Sequence, residues 1–280
     1  MSRLSVCAFG LLFCVAVLAP SAPAVDGVVL INQGTAATGV PGCPVSAFPI
    51  VLCKSGSYRL SGNLTVGGVN TDAIHITTNN VTLDLNGFTI SGPVNCKPAN
   101  PIVSCSASGN GVGIKDPANP PNNKKNITVR NGTVRGMGAS GIALGGLGIL
   151  IDSVHAESNG GVSGAGIFIG AGEVTHCAAT LNAADGILGG NVSFSDVSRN
   201  GRNGIIFAAL VSNNNVADNG AVGIQDPTLA VNNTVTFNVG IGIVLGSQHG
   251  YRSNVASMNG GGCFSGGVSL GENLCNGTTP

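Results

Sequence analysis

Asn200-Gly201-Arg202-Asn203-Gly204-Ile205 is followed by Asn219-Gly220-Ala221-Val222-Gly223-Ile224 and then by Asn238-Val239-Gly240-Ile241-Gly242-Ile243. Each copy begins with Asn and reaches Ile five residues later, with Gly directly before the Ile. The pattern runs back to Asn182 with Gly186-Ile187 and on to Asn259 with Phe264. Successive Asn residues stand 18, 19, 19 and 21 apart. Val197, Val216, Val235 and Val255 supply a second apolar position ahead of each later Asn. With insertions, the same grammar reaches Val154, Asn159 and Gly166-Ile167, then Gly141-Ile142.

No helical period fits this unit. Ile74-His75-Ile76, Val81-Thr82-Leu83-Asp84-Leu85 and Ile127-Thr128-Val129 alternate with period two and are rich in β-branched residues, so they read as short strands. The Asn, Gly and Asp between them tolerate positive φ and read as turns. Short strands and tight turns repeating every ~20 residues predict a β-solenoid, because one coil cannot bury its apolar side and a stack can. Strand spacing would set the coils about 4.8 Å apart. The recurring Asn would then bond amide to amide along the stack.

The composition fits such a stack. The chain has 280 residues, 45 of them Gly, and only 9% are charged. Its 43% hydrophobic content is too high for a disordered chain. Its Gly content falls far short of collagen's strict triplet. A net charge of zero gives no basic footprint for a nucleic acid.

Met1–Ala24 reads as a secretory signal: Arg3, an apolar run from Leu4 to Leu18, and a small-residue site at Ala22-Pro23-Ala24. No later stretch is long and apolar enough for a membrane span. The expected product is a monomer, extracellular or periplasmic, where disulfides persist. Cys43 with Cys53, Cys96 with Cys105 and Cys263 with Cys275 form close pairs, and Cys177 is left over. Residues 25–57 would form a leading cap and 58–280 the solenoid. Residues 93–125 would project from it as a loop, and the last cysteine pair would close the end.

The runs Tyr58–Val66, Ala73–Ile76 and Asn80–Ile90 resemble the opening coils of secreted right-handed parallel β-helix proteins of the pectate-lyase-like fold. The resemblance covers roughly Gly56 to Phe264. It implies an all-β, single-stranded right-handed parallel β-helix and a polysaccharide as partner. It does not fix an activity, because fold does not imply function. Hydrolases of this fold carry a paired-Asp set. This chain has Asn70-Thr71-Asp72 without an adjacent Asp pair, and only Gln248-His249-Gly250 for the histidine motif. Asn70-Thr71-Asp72 therefore reads as a turn. Soft copper sites use His, Met and Cys, and beyond the expected signal the chain has four His and only Met137 and Met258.

Asp152 and Glu173 are 21 apart, as are His155 and His176. That is about one coil, so stacking would gather two carboxylates and two imidazoles, with Glu157 and Asp196 nearby. Such a patch could serve acid–base chemistry, since His titrates near neutral pH. Arg199 and Arg202, like Arg130 and Arg135, could grip an acidic sugar through forked hydrogen bonds. Three readings follow. The first is a polysaccharide-binding flank without a recognisable catalytic set. The second is a lyase or epimerase acting at Asp152, His155, Glu173 and His176. The third is a structural or adhesive solenoid binding a protein. No cofactor is identified, and Ca²⁺ enters only with the lyase reading. Whether the chain is an enzyme stays open at this level.

Overall fold

The computed structural model describes residues 27–99, 103–117, 124–162 and 164–280. The expected signal segment Met1–Ala24 lies outside the described residues. The described residues wind into a parallel β-solenoid of coils of about 20 residues, with three strand faces named here A, B and C in their order within a coil. Face A stacks Ile74–Ile76, Ile114–Lys115, Ile142, Ile167, Ile187, Ile205, Ile224 and Ile243. Face B runs from Val28–Ile31 through Gly56–Leu60, Val81–Asp84, Ile127–Arg130 and Gly250–Arg252 to Val268–Ser269. Face C runs from Leu64–Thr65 through Thr89–Ser91 and Thr133–Arg135 to Leu274–Cys275.

Inward side chains form three continuous columns. The face A isoleucines, Val129, Ile151 and Val174 of face B, and Val197, Val216 and Val235 of face C are all fully buried. Each Ile or Val contributes about 1.5–3 kcal/mol on burial. One expected column member is displaced. Val235 pairs with Ala256, so Ala256 points inward and Val255 is 39% exposed. The longer spacing at this coil shifts the strand by one residue, which reverses every side chain on it.

The Asn column forms as expected. From Asn159 through Asn182, Asn200, Asn219 and Asn238 to Asn259, each Nδ2 donates to the next Oδ1 at 2.9 Å. The second amide hydrogen goes to a carbonyl on the other side, as from Asn200 to Ala179 and from Asn219 to Val197. Asn200 and Asn219 are completely buried, so this bonding satisfies groups that water cannot reach. The repeated Gly has a steric cause. A Cβ on Gly223 would lie 2.6 Å from the Gly242 carbonyl oxygen and 2.8 Å from the Asn238 amide nitrogen.

A second column, Asn214, Asn233, Asn254 and Asn273, runs along the corner between faces B and C with Nδ2–Oδ1 distances of 3.0, 3.0 and 3.1 Å. Sequence reading missed it, although the residues recur at coil spacing. Earlier coils hold Ser195, Cys177, Val154 and Gly132 at the equivalent place.

Both ends are tied by cystine. Cys43–Cys53 and Cys263–Cys275 have S–S distances of 2.08 and 2.05 Å. Val28–Ile31 and Ile50–Leu52 pair in parallel with following strands, so the leading segment already belongs to the stack. It also holds the short helix Gln33–Thr38, capped by Asn32. The insertion is two excursions rather than one, because Ile114–Lys115 returns to face A between them. The first excursion carries an antiparallel hairpin, Cys96–Pro98 with Val103–Cys105, closed by the Cys96–Cys105 disulfide.

Candidate functional site

The corner between faces B and C turns through residue pairs whose first member has positive φ: Asn131, Ser153, His176, Phe194, Asn213, Asn232 and Ser253. Asn, Ser and Gly take this conformation readily, whereas a bulky aromatic there is strained by about 1–2 kcal/mol. Phe194 has φ 49° and is 57% exposed. It therefore gains neither backbone ease nor burial. Its ring stacks on His176, with centroids 5.4 Å apart and planes 9° from parallel.

The last outward position of face B aligns Asp84, Arg130, Asp152 and Thr175 on successive coils. His176 Nδ1 lies 3.4 Å from Asp152 Oδ1 and 3.2 Å from Thr175 Oγ1. Ser153 Oγ donates to Asp152 Oδ1 at 3.1 Å. Arg130 reaches Asp84 Oδ2 at 3.2 Å. Across the corner, exposed His155 stands on face C between Thr133 and Ala178. Arg135 and Glu157 follow on that face, 3.7 Å apart. They line a cleft of about 330 Å³ whose other wall includes Val94 and Asn95, at the base of the disulfide-closed hairpin.

The four residues expected to gather are thus divided. Asp152 and His176 meet. Glu173 is exposed on face B but pairs with Leu150, while Asp152 pairs with Thr175. His155 projects from face C. The coil is longer here: Asp152 stacks on Thr175, 23 residues on, even after the register shift between Leu144 and Ile149, so a separation of 21 does not stack Asp152 on Glu173. Asp196 lies farther along face C, 3.4 Å from the Asn215 amide. Arg199 and Arg202 each face a carboxylate: Asp218 at 4.0 Å and buried Asp185 at 3.7 Å.

Asp72 is the residue that sequence reading passed over as a turn. Its Oδ2 sits 2.7 Å from His75 Nε2 and 3.2 Å from Lys115 Nζ, and its Oδ1 accepts the Val112 N–H at 2.7 Å. Burial pushes its pKa up, but hydrogen bonds from His75, Val112 and Lys115 outweigh that and hold it below the usual value. A carboxylate bonded to one imidazole nitrogen orients the ring and leaves the other nitrogen free. Asp72–His75 has this form, whereas His176 Nδ1 is hydrogen-bonded to Thr175 Oγ1 and only faces Asp152 in an ion-pair contact. Near Lys115, burial raises the pKa of Asp116, partly offset by N–H donation from Gly145. Cys177 is buried and its thiol is pushed up to about 12, chiefly by desolvation, so it is no nucleophile at neutral pH.

Calcium needs six to eight oxygen ligands. Among the described residues no three His, Cys, Asp or Glu side chains converge to hold a metal ion. Asp72, Asp84 and Asp152 are each engaged by a cationic or imidazole partner. These residues do not fit a Ca²⁺-dependent lyase centre. Nor is any described helix long and apolar enough to cross a membrane.

No family model matches the sequence, and no curated protein matches it either. Among solved structures, the chain is similar to the Dettilon tailspike protein (gp208), with a TM-score of 0.53 and 19% identity over 81% of this chain and 50% of that one. It thus spans half the length of that tailspike. The Azotobacter vinelandii mannuronan C-5 epimerase AlgE4 A-module aligns with a TM-score of 0.49 and 14% identity, over 87% of this chain and 84% of that one. The periplasmic alginate epimerase AlgG gives 0.35 and 11%, over 89% and 84%. The chain is a parallel β-helix repeat protein. At such identities the likeness concerns the fold and assigns no residue a role.

Proposed function

We propose that this β-helix binds polysaccharide along the corner between faces B and C, outside the cytoplasm, as a monomer and without a cofactor. The observation that carries the reading is Phe194, a strained and exposed aromatic stacked on His176, whose imidazole faces Asp152. Strain kept without burial points to function. An exposed ring beside hydrogen-bonding groups suits a sugar, which offers an apolar C–H face and polar edges. The three disulfides support an oxidising compartment. Titrating oligosaccharides into the folded chain tests the proposal. Binding that Phe194→Ala weakens about tenfold or more, equivalent to about 1.4 kcal/mol, supports it. Failure of every glycan to bind removes it.

A second reading, lyase or epimerase, is favoured by the Asp72–His75–Lys115 group, an imidazole oriented by a carboxylate, with Asp152 and His176 as a looser pair 3.4 Å apart. Such a dyad suits proton abstraction. Release of unsaturated uronides, followed by ultraviolet absorbance, would favour it. Retained release in both a His75→Ala and a His176→Ala variant would remove these assignments. Binding to a protein but to no sugar would instead favour an adhesive solenoid.

A further inference from the structure

Six cations of this solenoid are neutralised by a carboxylate on a neighbouring coil. Arg130 lies 3.2 Å from Asp84, Arg135 3.7 Å from Glu157, Arg199 4.0 Å from Asp218, Arg202 3.7 Å from Asp185 and Arg252 3.3 Å from Glu272. Lys115 is 3.2 Å from Asp72. In each pair the two residues come from different coils, so the neutralisation runs along the axis that a bound chain would follow.

We infer that the glycan recognised at the face B–face C corner is a neutral polysaccharide rather than a polyuronate or sulfated chain. The inference rests on the polysaccharide-binding reading above and narrows it. Along the corner that carries the Phe194–His176 stack stand the carboxylates of Asp84, Asp152, Glu157 and Glu173 and the guanidiniums of Arg59, Arg130 and Arg135. Four negative charges against three positive leave one net negative charge at the corner with His155 and His176 counted as neutral. An anionic sugar meets repulsion there, and Arg130 and Arg135, the arginines nearest the stack, are already paired, while Arg59 lies at the far end of the column beyond Asp84. Separations of 3–4 Å within each pair are well inside the Debye length of about 8 Å at physiological ionic strength, so little positive field reaches an approaching chain. Sugar hydroxyls suit the same surface, because each can donate to a carboxylate and accept from a guanidinium at once. The ring of Phe194 adds an apolar platform that carries no charge preference.

The test is calorimetric titration of the full chain with neutral gluco-, manno- and galacto-oligosaccharides and with galacturonate and mannuronate oligomers of matched length. Each is measured at about 0.05 M and about 0.5 M NaCl, a range across which exposed charge interactions become screened. The expected result is binding of a neutral oligosaccharide with Kd changing less than about twofold between the two salts, and none of the oligouronates. Binding of an oligouronate that weakens about tenfold or more at the higher salt overturns this inference and leaves the polysaccharide reading standing. Binding of neither class overturns both.

Discussion

Two stretches of one solenoid use the same corner differently. From Asn214 to Asn273 the position behind each face B–face C turn is Asn, and the column is buried and bonded without a break. From Gly132 to Ser195 the same position holds Gly, Val, Cys and Ser, and the exposed turn residues become Asn131, Ser153, His176 and Phe194. The charged pairs Arg130–Asp84, His176–Asp152 and Arg135–Glu157 lie in this earlier stretch. Where the Asn column is complete, its side chains hold coils together, although the corner there still carries Arg252 and Ser253 on Glu272. Where it lapses, charged and aromatic side chains at the corner are denser.

The comparison breaks most visibly in the later stretch. Asn219→Ala removes the bond to Asn238 and the bond to the Val197 carbonyl, and it leaves Asn200 without an acceptor. Orphaned buried groups are each worth about 1–3 kcal/mol, so the variant should lose about 3 kcal/mol or more. Calorimetry should place its Tm roughly 6–12 °C lower. Ser153→Ala, on the exposed corner of the earlier stretch, should stay within about 0.5 kcal/mol. Equal losses in the two variants would erase the distinction.

Replacing Cys263 and Cys275 by Ser should cost about 2–3 kcal/mol, the scale for a loop this short. Hydrogen exchange should show the loss confined to the last coils, because each coil contacts only its neighbours. Phe194→Gly should raise stability by about 1 kcal/mol by relieving the positive-φ strain, while abolishing glycan binding. A loss of stability would mean that the phenylalanine is structural.

The smallest effect is a pH dependence. The Asp72 pKa is lowered in the folded chain from 3.8. Its stabilisation is therefore complete above the unfolded value and is lost as pH falls through the folded one. Denaturant unfolding should find Asp72→Asn less stable than the native chain at pH 7, with the gap closing as pH falls below the unfolded value of 3.8 and through the lower folded one. A gap independent of pH would show that the ionised carboxylate is not the stabilising species.

Much of the fold was written in the sequence because its unit is local: Asn, Gly and Ile recur at a spacing that only stacking explains. The second Asn column was harder to see. In Asn213-Asn214 and Asn232-Asn233 one member turns the corner and the other points inward, and identical letters hide that division. Val255 and Ala256 are both apolar, so nothing local revealed which one faced in. The site was less legible still. Asp152 and His176 meet because His176 turns the corner just past Thr175, the true partner of Asp152, and that register depends on irregular strand geometry near Gly146 and Gly172. Asp72 finds Lys115 only because the chain returns to face A after an excursion of unpredictable length.

The unequal corners also govern how such a molecule can grow. The face B–face C turn keeps a two-residue step through Asn131-Gly132, Ser153-Val154, His176-Cys177, Phe194-Ser195, Asn213-Asn214, Asn232-Asn233 and Ser253-Asn254. The hairpin closed by Cys96–Cys105 instead leaves from the passage between faces C and A. Through these coils duplication preserves the contacts along the corner and added length collects on the other edges, although the Asp84 coil spends four residues, Leu85 to Phe88, where the next coil spends Asn131-Gly132. The lineage of such a chain can therefore vary its ornaments freely and its groove hardly at all, so a ligand that runs along the fixed corner meets an evenly ruled track however many coils are added.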